Sequence, residues 1–135
     1  MKTEDLLSIL KSDIAAWNRW RKENPFLKPN FRQTNLRGWN LQGADFSGAY
    51  FWQADLQGAN LHQANLSRAN FSKADLSQTD LSQVDLSWAY FNQTNISGAD
   101  LSQANLKGAN LDNVIYDSQT VWPDPFTPPK EAKPL

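Results

Sequence analysis

Large apolar residues recur at every fifth position from Phe31 to Leu111. The series runs Phe31, Leu36, Leu41, Phe46, Phe51, Leu56, Leu61, Leu66, Phe71, Leu76, Leu81, Leu86, Phe91, Ile96, Leu101, Leu106, Leu111, seventeen positions without a slip. We call these the centres. Two residues before a centre stands a small residue, mostly Ala, as at Ala44, Ala49, Ala54, Ala59, Ala64 and Ala69; Thr34, Thr79, Thr94 and Val84 fill most gaps and Trp39 is the misfit. The residue just before the centre is usually Asn or Asp, and the two after it are polar or Gly.

A period of five fits neither regular element. On an α-helix it advances roughly 500°, which spirals the centres around the whole cylinder. On a flat strand an odd spacing sends successive centres to opposite faces. The chain must instead turn once per five residues and keep every centre on the same inner side. Asn, Asp, Gly and Ser supply the turn chemistry, through Asx-type hydrogen bonds or tolerance of positive φ. A chain turning regularly in one sense stacks on itself, which pairs the backbone between coils and buries the centres.

A second period sets the size of the coil. Phe31, Phe51, Phe71 and Phe91 are twenty residues apart, as are Leu41, Leu61, Leu81 and Leu101. Gln33, Gln53 and Gln93, and Gln63, Gln83 and Gln103, fall on the same spacing outside. Four five-residue units per coil then stack like side chains at the inter-strand distance of about 4.8 Å, giving a rod a little over four coils and roughly 20 Å long.

The run Ala59-Asn60-Leu61-His62-Gln63-Ala64-Asn65-Leu66 resembles the pentapeptide-repeat family, whose motif is A-(D/N)-L-x-x. The resemblance implies an all-β solenoid, a right-handed quadrilateral parallel β-helix, with the centre and the residue two before it pointing inward. It is compatible with a cyanobacterial source. We expect three parts: 1–29, an N-terminal α-helical cap and linker; 30–115, the β-helix; and 116–135, a C-terminal cap and Pro-rich tail.

Residues 4 to 22 read as one amphipathic helix. Thr3 is its expected N-cap, Glu4 and Asp5 occupy the first turn, and Leu7, Leu10, Ile14 and Trp17 form its apolar stripe. Arg19, Arg21 and Lys22 suit the last turn before Asn24-Pro25. This helix is expected to lie across the coil containing Phe31, with Trp39 beneath it, because an uncapped coil exposes its strand edges. After Leu111 the repeat is expected to fail, and Val114, Ile115, Tyr116, Val121, Trp122 and Phe126 close the other end. Pro123, Pro125, Pro128 and Pro129 forbid further pairing, and Thr127 to Leu135 is expected to be a flexible tail.

Composition narrows the chemistry. The net charge of −1 gives no global field toward nucleic acid or an anionic membrane. No cysteine is present, His62 is the single histidine, and no apolar run approaches a membrane span or a signal peptide, so a cytoplasmic protein is expected. Most aspartates, including Asp45, Asp55, Asp75, Asp80, Asp85 and Asp100, share one repeat position, which marks them as turn residues. Asp75, Asp80 and Asp85 lie on successive sides and should not converge on a metal. His62 is expected at the surface without a catalytic partner, and the serines after the centres have no base beside them. No catalytic residue, metal site or cofactor is assigned, and an enzyme is not expected.

What remains is surface. Tyr50 and Tyr90 replace the usual Asn or Asp, and Trp52, Arg68 and Trp88 join them when the chain is folded at twenty residues per coil, with Lys73 at the border. Aromatics beside an arginine on a polar rod suit a protein-binding hot spot. The competing arrangement has them covering one another and the C-terminal segment, with Arg68 against the Trp88 ring. The functional expectation is a non-enzymatic interaction scaffold, monomeric or weakly dimeric, which binds an unidentified protein partner through this corner or a cap. The alternative, from the family resemblance, is a DNA mimic that modulates a topoisomerase such as gyrase. The repeat region holds seven aspartates against Arg32, Arg37, Arg68, Lys73 and Lys107, a balance of −2 that imitates a phosphate backbone poorly. Ice binding would need exposed Thr ranks, and Thr34, Thr79 and Thr94 sit at inward positions.

Leu61→Lys places a charge in the stack and is expected to abolish folding. Circular dichroism checks this, and a soluble variant with an unchanged β spectrum would refute the stacked-coil reading.

Overall fold

The structure is a computed structural model that describes residues 1–128 and 133–134. Parallel bridges join residues twenty apart along four columns, beginning Asn30↔Tyr50, Asn35↔Asp55, Asn40↔Asn60 and Asp45↔Asn65. Each coil therefore has four short sides. Side one carries the centres Phe31, Phe51, Phe71, Phe91 and Leu111, and sides two, three and four begin at Leu36, Leu41 and Phe46.

Three backbone bonds repeat at each side. The centre N–H donates to a carbonyl nineteen residues on, as Leu61 N to Asp80 O at 2.9 Å. The preceding residue donates back to the coil below, as Asn70 N to Ala49 O at 3.0 Å. The second residue after the centre donates to the coil above, as Gln33 N to Trp52 O at 2.8 Å. Between sides, the small inward residue closes a turn onto the previous centre, as Ala64 N to Leu61 O at 2.9 Å.

The turns divide two tasks that the sequence leaves open. Positive φ falls on the second residue after the centre, at Gly38, Gly43 and Gly58 but also at Gln33, Arg68, Lys73 and Trp88. That sign at the third position of a four-residue turn is the type II signature. The Asn or Asp keeps extended pairing and accepts the N–H two residues on, as Ser67 N to Asn65 Oδ1 at 3.0 Å and Ser102 N to Asp100 Oδ1 at 2.9 Å. The core follows from this geometry. The centres Phe31 to Leu101 are buried, and so are the alanines two before them. Phe31, Phe51, Phe71 and Phe91 stack with centroids 4.9–5.5 Å apart. Thr94 turns its hydroxyl onto Phe71 O at 2.6 Å, which satisfies a polar atom inside the stack.

The N-terminal cap is two helices, α1 (Thr3–Ser12) and α2 (Ile14–Glu23), not the single helix expected over 4–22. Asp13 breaks it: its backbone is extended and its carboxylate accepts Ala16 N–H, so an Asx cap wins over helix continuation. Lys2, not Thr3, holds the N-cap position, and the Thr3 hydroxyl donates instead to Asn30 O at 2.9 Å. Leu6, Leu10 and Trp17 are the buried residues of the cap face, while Leu7 and Ile14 are half-buried. Trp17 plugs the first coil. Its ring lies 5.7 Å from Phe31 and 5.5 Å from Phe46, and its Nε1 donates to Asp45 O at 2.8 Å. Trp39 packs against the core with Lys11 5.6 Å from its ring.

Arg21, which the sequence places in the last turn of the cap, is buried. It donates to Leu27 O and Ser47 O, both at 2.7 Å, and so ties the linker and the first coil to α2. Desolvation lowers its pKa against the opposing pull of Asp45.

At the other end the coil continues past the point where the motif fails. Ile115 bridges Asn95, and Val121 bridges Asp100 at a spacing of twenty-one. Val114 and Thr120 take the inward position, and Tyr116 and Trp122 take the centre position. The extra residue costs a carbonyl in the turn, and the Asp117 carboxylate replaces it by accepting Gly98 N–H at 3.0 Å. Burial pushes that carboxyl up, but bonds from Gly98, Gln119 and Thr120 outweigh burial and hold it below its ordinary pKa. Tyr116, Trp122 and Phe126 form an aromatic lid, with centroids 5.5 and 5.2 Å apart. β1 (Ile115–Tyr116) then pairs in parallel with β2 (Lys133–Pro134). The tail expected to be flexible thus contains a paired segment, and residues 129–132 and 135 lie outside the described residues.

Trp17→Ala is expected to cost about 3–5 kcal/mol, as for truncation of a buried aromatic. Urea unfolding reads this directly, and a loss below about 1 kcal/mol would show that the first coil does not need its plug.

Candidate functional site

The asparagine and aspartate ladders expose the site by their exceptions. From Asn30 to Asn110 the residue before each centre accepts the turn N–H two residues on, with two interruptions. These are Tyr50 and Tyr90, which have no oxygen in reach of Trp52 N and Asn92 N. Both stand in the side-one column Asn30–Tyr50–Asn70–Tyr90–Asn110, two coils apart. The rod thus gives up a turn bond twice in one column and gains an exposed phenol each time, at 39% and 51% exposure.

Neighbouring turns bring the other expected residues alongside. Arg68 and Trp88 share the column Gly48–Arg68–Trp88–Gly108 at the junction of sides four and one, and both carry positive φ. Trp88 is 51% exposed. Its indole lies over Gly108: a Cβ added there would stand 2.5 Å from Trp88 Cε3, so a larger residue would have to push the ring aside. Among the described residues the Arg68–Trp88 cation–π contact does not form. Among the described residues the ring pairs of the C-terminal segment are Tyr116–Trp122 and Trp122–Phe126, and none involves Tyr50, Trp52, Trp88 or Tyr90. Trp52 follows Phe51 on side one and is half-buried.

The cations that address these rings come from residues the sequence did not single out. Arg32 lies 5.1 Å from the Trp52 ring and Lys28 lies 6.0 Å from the Tyr50 ring. Lys28 borders three shallow depressions. One, of about 550 Å³, reaches Arg32, Tyr50 and Trp52. Another, of about 390 Å³, reaches Arg68, Trp88 and Tyr90. The third leads to Phe26, which is 95% exposed in the linker before the first coil. The linker falls outside the repeat, so no departure from a pattern flagged it. Its signal was an apolar pair, Phe26-Leu27, between two prolines.

His62 stands in the outer column of Gln42, Ser82 and Ser102. It is half-buried, and its Nδ1 is 2.8 Å from Ser82 Oγ, one coil above. A serine therefore does have an imidazole beside it. The same hydroxyl also lies within hydrogen-bond distance of Asp80 Oδ1, so it is shared between the imidazole and a turn carboxylate. Asp75, Asp80 and Asp85 stand in three separate ladders. Among the described residues no three metal-ligating side chains converge, and no helix is long and apolar enough to cross a membrane.

The family model described as pentapeptide repeats (8 copies) matches residues 30–63, 44–83 and 85–115. The chain belongs to the pentapeptide repeat family. Among solved structures of such proteins, one from Nostoc PCC 7120 is 32% identical, with 90% of this chain and 95% of that one covered and a TM-score of 0.42. HetL from the same cyanobacterium, a pentapeptide repeat protein involved in heterocyst differentiation regulation, is 37% identical over 64% of this chain and 44% of its own, with a TM-score of 0.34. A pentapeptide repeat protein from the Arabidopsis thaliana thylakoid lumen is 28% identical over 67% of this chain and 63% of its own, with a TM-score of 0.47. No curated protein matches the chain.

Within a pentapeptide repeat, restoring the ladder residue should restore its bond. Tyr90→Asn is expected to stabilise the rod by about 0.5–1.5 kcal/mol, the usual worth of one intramolecular hydrogen bond. Trp88→Ala should change stability by less than about 1 kcal/mol, against about 3 or more for a core tryptophan. Both are read from urea midpoints, and the reverse order would place these rings in the structural core.

Proposed function

We propose that this pentapeptide repeat protein is a non-enzymatic interaction scaffold, a right-handed quadrilateral β-helix of about four coils that offers a protein partner the corner between sides four and one. Its site residues are Tyr50, Trp52, Arg68, Trp88 and Tyr90, joined by Lys28 and Arg32. The observation that carries this reading is the paired loss of the turn acceptor at Tyr50 and Tyr90. Departures from a locally consistent pattern concentrate where function overrides stability. Here both fall in one column and expose rings of the kind that anchor interfaces. The rod is also rigid, since every coil is clamped from both sides, so presenting these rings loses little conformational entropy on binding.

The DNA-mimic reading finds less support. Its requirement is a continuous acidic stripe, whereas the site column holds only Asn and Tyr, and Arg32, Arg68 and Lys73 flank it.

Affinity capture from a lysate of the source organism, comparing wild type with a folded Tyr50→Ala/Trp88→Ala variant, tests the proposal. A protein retained by the wild type and lost by the variant is expected. Equal recovery of every retained protein would move the interface to a cap or another side.

A further inference from the structure

The corner is chemically one-sided. It is rich in donors and poor in acceptors. Among the described residues the ion pairs are Arg21–Asp45 and Arg37–Asp55, so Lys28, Arg32, Arg68 and Lys73 have no carboxylate within 4.0 Å. Trp52 N–H and Asn92 N–H also lack an acceptor among the described residues, because Tyr50 and Tyr90 stand where Asn or Asp accepts elsewhere. The opposite side is the reverse. Side three carries Asp80 and Asp100 and no lysine or arginine. A net charge of −1 thus conceals a cationic edge and an acidic face.

The spacing is equally specific. Tyr50 and Tyr90, with the two free N–H groups behind them, are separated by two coil steps, about 9.6 Å. A β-strand covers that distance in about three residues but points the first and fourth side chains to opposite faces. A polyproline II segment rises about 3.1 Å per residue with three residues per turn, so every third side chain returns to one face after about 9.3 Å. Aromatic-lined grooves are the usual seat of such segments.

Resting on the scaffold reading above, we propose that the partner docks an acidic segment in polyproline II conformation along this corner, parallel to the rod axis, with a carboxylate at every third residue. Its carboxylates take the free N–H groups of Trp52 and Asn92 and the charges of Arg32 and Arg68. Its intervening residues lie against the rings of Trp88 and Tyr90. A peptide fits better than a single-stranded nucleic acid. Lys28 and Arg32 already lie against the Tyr50 and Trp52 rings, on surfaces a base would need for stacking.

Fluorescence anisotropy with three labelled probes tests this: a four-fold Glu-Pro-Pro repeat peptide, its Gln-Pro-Pro counterpart, and a short oligothymidine. The Glu peptide should bind at least about tenfold more tightly than the Gln peptide, and weaken as salt is added. Arg32→Glu/Arg68→Glu should erase that preference, and Tyr50→Asn/Tyr90→Asn, which refills the turn bonds, should remove binding of both peptides. Equal binding of the two peptides, or none, overturns the acidic-segment inference. Tighter binding of oligothymidine overturns it together with the protein-partner reading. A captured partner that is lost by Tyr50→Ala/Trp88→Ala but kept by Arg32→Glu/Arg68→Glu leaves the scaffold standing and removes this inference alone.

Discussion

From Phe31 to Ile96 each centre N–H reaches a carbonyl on the neighbouring coil, nineteen residues along the chain, and everything else in the rod depends on that bond. It fixes the coil at twenty residues, because any other length would leave a row of buried backbone groups unpaired. Once the length is fixed, four turns must fit in it, which leaves each side too short for more than an inward small residue, an Asx and a centre. A small residue is then favoured two before the centre, mostly Ala with Thr79, Val84 and Thr94 also buried there, since it leaves room for the neighbouring Leu or Phe. The Asx is needed before the centre because its oxygen satisfies the turn N–H that neither coil can reach.

The repeat was legible because its period is incommensurate with helix and strand alike, and because seventeen units hold register. Pairing spacing, inward positions and the phenylalanine stack all follow from that period. What escaped the sequence lies where the period is silent. Asp13 splits the cap because a single Asx side chain competes with helix continuation, a contest that periodicity does not weigh. The burial of Arg21 left no trace in the sequence because its partners are carbonyls of Leu27 and Ser47, which carry no residue-type signal. The coil runs on past Leu111 because shape, not motif, admits Tyr116 and Trp122 at the centre position, with Asp117 supplying a missing acceptor. At the candidate site the expected residues, Tyr50, Trp52, Arg68, Trp88 and Tyr90, were visible as departures from the repeat. Lys28 and Phe26 were not, since a linker has no pattern from which to depart.

Function in such a rod belongs to its outer positions. The inner ones are committed to packing, and among the outer ones most are committed to turns. The column Asn30–Tyr50–Asn70–Tyr90–Asn110 shows how the remaining freedom is used: alternate coils keep the turn acceptor and alternate coils present a ring. The rod bears a loss at every second step because the intact coil between clamps both neighbours. Exposed rings and turn bonds are thereby interleaved along one line, and neither is segregated to its own end of the molecule.

Stacking by whole coils also makes the rod a ruler with fixed graduations. Residues twenty apart in sequence are neighbours in space, so gain or loss of one coil would slide half of the corner past the other by one inter-strand step of about 4.8 Å. No smaller change is available without breaking the ladder. A lineage of such rods can therefore alter the distance between its exposed rings only in whole steps, and any partner that measured that distance would have to change its own spacing by a matching jump or be lost.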